Sequence, residues 1–223
     1  MALRLLPFRQ YAEQDVVNMY SNATCNDSTD SSGGGDAGVF VSVTSGNLNL
    51  GPIQYQHDTP SSISWNTSNI PHLGKDGYPI VPLKVDAAAA DAEKGTVLGV
   101  TLYQTALKDE NGEKLLYYPQ KKLETQSVLS GESVPVLTRG VITLALDGNN
   151  TNGASATTSK DNWVPGSGFK AASTAGKVDA CAASDSNSLG MVMATGHRTA
   201  INQPDQFAGS AGSTGYYAIV RLG

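Results

Sequence analysis

Apolar and polar positions alternate with a period of two along several short runs of this chain, the pattern of half-buried β-strands. Val39, Val41 and Val43 alternate with Phe40, Ser42 and Thr44, and a turn at residues 45–47 leads into a second strand in LNLGPIQYQ. Further strands are predicted at 96–106, 114–118, 123–128, 133–137 and 140–146, with Asn111-Gly112 as the hairpin turn between the first two. KVDACAA and LGMVMATGHRT follow, and the closing YYAIVRL alternates as an end strand of the same sheet. Helical patterning is scarce: one short helix within 12–19 and a two-turn helix in DAAAADAEK at 86–94. The fold class expected from this spacing is mainly β, an antiparallel barrel or sandwich.

The first twenty residues break that pattern. Leu5, Leu6, Phe8, Tyr11 and Val16 form an apolar set interrupted by Pro7, too sparse for a core, and the stretch that follows carries Gly33 to Gly35 among Ser, Asp and Asn. Residues 1–38 therefore read as an extended N-terminal arm with a Gly/Ser-rich linker, and 39–223 as the β body. Polar low-complexity segments at 59–82 and 147–162 read as long surface loops. An apolar arm on such a linker calls for a partner surface.

Charge narrows the classes. Among 223 residues only 16% are charged and the net charge is -5, which disfavours a phosphate backbone as partner because counterion release needs a clustered basic face. Lys121 and Lys122 are the one basic cluster and read as a solvated strand edge. The opening MALRLLPFRQYAEQD holds no apolar run long enough for a signal peptide or a membrane span, so synthesis in a cytoplasm is expected. Cys25 and Cys181 match no metal or redox spacing and read as free thiols, with pairing left open.

Chemistry is sparse in the same way. His57, His72 and His197 sit in separate segments without ligand spacing, and Asp27, Asp30 and Asp36 lack the alternation and terminal Glu of a calcium loop. Gly166-Ser-Gly168-Phe-Lys-Ala171 matches the letters of a dinucleotide motif, but Pro165 precedes it and no helix pattern follows, so it reads as a turn. The expectation is no catalytic residue, no metal, no cofactor and no enzyme. Trp65 and Trp163, in Asn-rich loops, are the candidates for outward ligand contacts, although packing of their loops onto the sheet or onto a neighbouring subunit is the favoured reading.

GTVLGVT, VLSGESVPVLTRGVITL, WVPGSGFKAASTAGKVDACA, SLGMVMATG and AIVRL together resemble the β-barrel body of tailed-phage capsid decoration proteins, also called head-stabilisation or cement proteins. LPFRQYAEQDVVNMY resembles the leading arm of virion proteins of marine and cyanobacterial phages. The resemblance covers roughly residues 95–223 and the arm. It implies a non-enzymatic virion structural protein on the outside of an icosahedral shell, with the major capsid protein as partner and Leu5, Leu6, Phe8, Tyr11 and Val16 as the anchoring contacts. It also implies a homo-oligomer, a trimer before a dimer, with neither nucleic acid nor membrane as partner. The alternative is a host-surface or glycan-binding adhesin module of the virion, reading its ligand through Trp65 and Trp163.

Overall fold

In a computed structural model the chain is described at residues 5–21, 37–44, 84–105, 115–124, 126–128, 132–146, 162–197 and 216–223. The mainly β class is borne out. Strands β1 (Leu5–Gln10), β2 (Val16–Ser21), β3 (Phe40–Thr44), β4 (Lys84–Ala87), β5 (Val97–Thr101), β6 (Gln104–Thr105) and β7 (Ser127–Val128) lead to β8 (Ser133–Leu137) and β9 (Gly140–Leu146). The described chain ends with β10 (Gly168–Ala171), β11 (Val178–Cys181), β12 (Gly190–His197) and β13 (Tyr216–Leu222).

These strands make two bodies. Five of them pair in a ring that returns to its start, β2-β4-β3-β5-β8, and six form a sheet in the order β1-β9-β13-β12-β10-β11. The pairing is antiparallel apart from β2 with β4 and the small β6-β7 ladder. The ring's interior is filled by Met19, Val39, Val41, Val85, Val128, Val134 and Val136. Its other buried set, Phe40, Val100 and Leu137, joins Leu5, Ile142, Leu144, Phe169, Val192 and Val220 of the sheet in a second, shared core. That is why Phe40 and Val41, adjacent on β3, are both fully buried: one faces the ring's interior, the other the sheet.

Strand alternation decides which residues reach the shared core. On β9 Ile142, Leu144 and Leu146 point inward, and on β13 Ala218, Val220 and Leu222 do so against them, paired residue by residue from Tyr216↔Leu146 to Leu222↔Gly140. Phe169 meets Phe40 edge-on at 6.1 Å between ring centroids, tying sheet to ring. Two glycines permit the closest approaches: a Cβ on Gly99 would lie 2.1 Å from the Leu137 carbonyl oxygen, and one on Gly190 1.9 Å from that of Arg221.

Several sequence expectations are corrected. The N-terminal segment is no arm: β1 adds to the sheet beside β9, with Leu5↔Leu144 and Gln10↔Val141, and β2 closes the ring against β8 over five register pairs from Val16↔Leu137 to Tyr20↔Ser133. The apolar set was too sparse for a core of its own, but a strand needs only alternate positions when the core is supplied by others. Both strands thus pair with strands of the body, while the Gly/Ser-rich linker at 22–36 lies outside the described residues. In place of a helix at 12–19 there is one 3-10 turn, Glu13–Asp15, after which the β-branched pair Val16-Val17 begins β2.

The helix expected at 86–94 is also absent. Val85 and Ala87 pair with Val43 and Val41, and Asp91 at φ +52° lies in the left-handed region that stops a helix. Conversely, the strands expected at 114–118 and 123–128 are replaced by a 3-10 turn at Leu115–Tyr117, the short helix α1 (Pro119–Glu124) and only the two residues of β7. Lys121 and Lys122 thus lie on α1 rather than on a strand edge, and Lys122 forms an ion pair with Glu132 beside β8. Strands 133–137 and 140–146 stand as expected, whereas the turn expected over 166–171 holds only at its start, Gly166 with φ +91°, because Gly168–Ala171 is β10. LNLGPIQYQ, Asn111-Gly112, the loops at 59–82 and 147–161, and the early Asp cluster lie outside the described residues.

Candidate docking surface

The five residues expected to anchor the chain to a partner are divided by the fold. Leu5 is 1% exposed in the shared core and Leu6, on the opposite face of β1, is 5% exposed beside the buried Thr143, its register partner. Val16 packs half-buried against the shared core. Leu5, Leu6 and Val16 are therefore contacts within the chain, not contacts to another, because the ladders of β1 with β9 and of β2 with β8 deliver them to this molecule's own interior. Phe8 and Tyr11 are different. Phe8 is 58% exposed and Tyr11 39%, one in an irregularity of β1 and one just past its end.

That irregularity has a simple cause. Leu6 pairs with Thr143 and Arg9 with Ile142, so Pro7 and Phe8 are two residues without partners on β9. Proline has no N–H to give the ladder, and the bulge turns the neighbouring phenylalanine out to solvent. Arg9 Nε donates to the Leu6 carbonyl oxygen at 3.2 Å across the bulge. At the C-terminal end of β1, Ala12, Glu13 and Asp15 turn the chain into β2, and the Asp15 carbonyl oxygen accepts from both the backbone N–H and the Oγ1 of Thr138, each at 2.9 Å.

Trp163 is 2% exposed. Its ring stacks on Phe169 at 6.5 Å with an interplanar angle of 23°, and its Nε1 has no acceptor among the described residues. It packs the turn at 164–167 onto the sheet, so the favoured reading of its loop holds and its candidacy as an outward contact is corrected: a large ring next to a strand lowers its free energy more by covering Phe169 than by standing in water. Trp65 lies outside the described residues.

Polar chemistry gathers at one place on the sheet. Lys170 Nζ of β10 bonds Asp185 Oδ2 at 2.9 Å, and Asp185 Oδ1 accepts from the Asn187 backbone N–H at 2.9 Å. The Asn187 N–H first and Lys170 second hold the Asp185 carboxyl below its ordinary range, and the same bond raises Lys170. Nearby Cys181, free and half-buried, has its thiol pushed up by burial and then by Asp185. A carboxylate already committed to a lysine and an N–H, beside an un-ionised thiol, offers neither base nor nucleophile. Among the described residues no group of three or more His, Cys, Asp or Glu is placed to hold a metal ion, and no helix is long and apolar enough to cross a membrane.

Comparison of the chain with protein families, with curated proteins and with solved structures gives no match. What the structure adds is the placement of the segments whose sequence resembles decoration proteins. VPVLTRGVITL is β8, the crossing turn and β9; GFKA and VDAC are β10 and β11; GMVMATG lies on β12; AIVRL lies on β13. Except for β8 and the GTVLGVT of β5, they are neighbours in the six-stranded sheet.

Sequence reasoning missed that Pro7-Phe8 forms a bulge rather than part of an arm. One signal was present: Pro7 cannot donate to a ladder, so a strand that holds it is confined to a sheet edge or interrupted by a bulge.

Proposed function

We propose that the chain is a non-enzymatic structural subunit of a virion that binds the outer surface of an icosahedral phage shell and decorates or stabilises it, with the major capsid protein as its partner. The observation that carries the reading is Phe8, more than half exposed on the bulge of β1, with Tyr11 exposed just past the strand's end, while the rest of the N-terminal apolar set is spent on the chain's own core. The sequence resemblance supplies the partner class, and most of its segments, those on β9 to β13, lie in the sheet to which β1 belongs. A surface aromatic on a rigid strand loses little conformational freedom on binding, and modest affinity per copy suffices when many sites on a shell are filled.

The test is occupancy on shells assembled from the major capsid protein encoded in the same genome. The parent is expected to decorate them, and the Phe8→Ala/Tyr11→Ala pair to lose most of that occupancy while keeping its melting profile. A parent that leaves the shells bare overturns the function; undiminished occupancy by the double variant overturns the assignment of these two side chains. An adhesin reading through the tryptophans loses Trp163 to the core.

A further inference from the structure

We infer that β1 carries a guard against strand addition, so that contacts at this end of the sheet are made by side chains and not by an intermolecular β-ladder. The open edge of a sheet is a template for pairing with a second copy of the same chain. Here β1 is the outermost strand beside β9, and among the described residues nothing pairs with its other side. At the opposite edge β11 has four residues, of which Val178 and Asp179 are buried, and the ring has no edge at all. The liability is thus concentrated on Leu5–Gln10.

Three features of that strand oppose pairing together. Pro7 has no N–H to donate. The two-residue bulge between Leu6 and Arg9 breaks the straight repeat that an incoming strand must match. The Leu6 carbonyl oxygen, beside the bulge, already accepts from Arg9 Nε at 3.2 Å, so an incoming N–H would have to share it. Phe8 projects from the same bulge, which makes close approach of another backbone harder still. The inference stands whether or not the chain decorates a shell.

The experiment is the pair Pro7→Val and Arg9→Ala in the full chain, followed by sedimentation and light scattering over a wide concentration range, with the parent's own assembly state as baseline. The guard predicts a new, concentration-dependent doubling of mass over that baseline, with β1 amides gaining protection from hydrogen exchange. A folded double variant with the parent's mass at every concentration overturns the inference, as does added association that leaves the β1 amides unprotected. Should the double variant not fold, the milder pair Pro7→Ala and Arg9→Met decides: it restores the N–H and removes the donor to the Leu6 carbonyl, it should associate more than the parent, and an unchanged mass overturns the proposal.

Discussion

Truncating Leu5 to alanine, with Phe8→Ala as its internal control, measures how far the N-terminal segment belongs to the fold. The two leucine and phenylalanine side chains are three residues apart on one strand, yet one is 1% exposed in the shared core and the other 58% exposed. A buried Leu→Ala change costs about 2–5 kcal/mol through lost transfer energy and the cavity left against Leu144 and its neighbours. An exposed side chain without partners changes stability by about 0.5 kcal/mol or less. With a urea m-value of about 3 kcal/mol per molar, at the upper end for small proteins, a loss of about 3 kcal/mol moves the unfolding midpoint down by about 1 M. Phe8→Ala should leave it nearly unmoved. Since domains are stable by only about 5–15 kcal/mol, deleting residues 2–20, which also removes Met19 and the β2 closure of the ring, should leave no cooperative transition. Equal midpoints for Leu5→Ala and Phe8→Ala, or a deletion variant that melts as the parent does, would refute the placement of β1 and β2.

Two other outcomes follow from the packing and the charges. Trp163→Ala should cost about 3–5 kcal/mol in denaturant unfolding, whereas Trp163→Phe should cost well under half as much, since phenylalanine keeps the stack on Phe169 and removes an indole N–H that lacks an acceptor. Asp185, whose folded pKa is depressed, contributes stability that is present above its unfolded pKa and lost as the pH falls through the folded one; a carboxyl titration by NMR should place its midpoint below the ordinary aspartate range. Lys170→Met should raise that midpoint only part of the way, because the Asn187 N–H is the larger cause, and full return to the ordinary value would contradict the bond.

The strands that could be read in the sequence were those whose alternation faces one core from one side. β9, with Ile142, Leu144 and Leu146 inward, and β13, with Ala218, Val220 and Leu222, needed nothing but period two. β1 and β2 were not legible because their partners are distant: Leu5 is matched by Leu144 and Val16 by Leu137, so the core that rescues a sparse apolar set lies more than a hundred residues away. The alanine run at 87–90 favoured a helix locally, but the ladder from Val85 to Val43 outweighs propensities that differ by less than about 1 kcal/mol per residue. At the candidate surface the residue types were legible, and their direction was not. Only the bulge separates Phe8 from Leu6, and only contact with Phe169 turns Trp163 inward.

The ring strands run from Val16 to Leu137, while the sheet uses Leu5–Gln10 before them and Gly140 onward after them, with the two crossings tied at Asp15 and Thr138. During synthesis the opening strand must therefore wait, its leucines uncovered, until the ring has left the ribosome and β9 appears. Folding should be slow for the chain's size, since loop closure over that distance precedes any reward from pairing. For the same reason the ring is, in genetic terms, an insertion within the sheet: joining Gln10 to Gly140 through a short linker is the cut at which the sheet could be asked to stand without it.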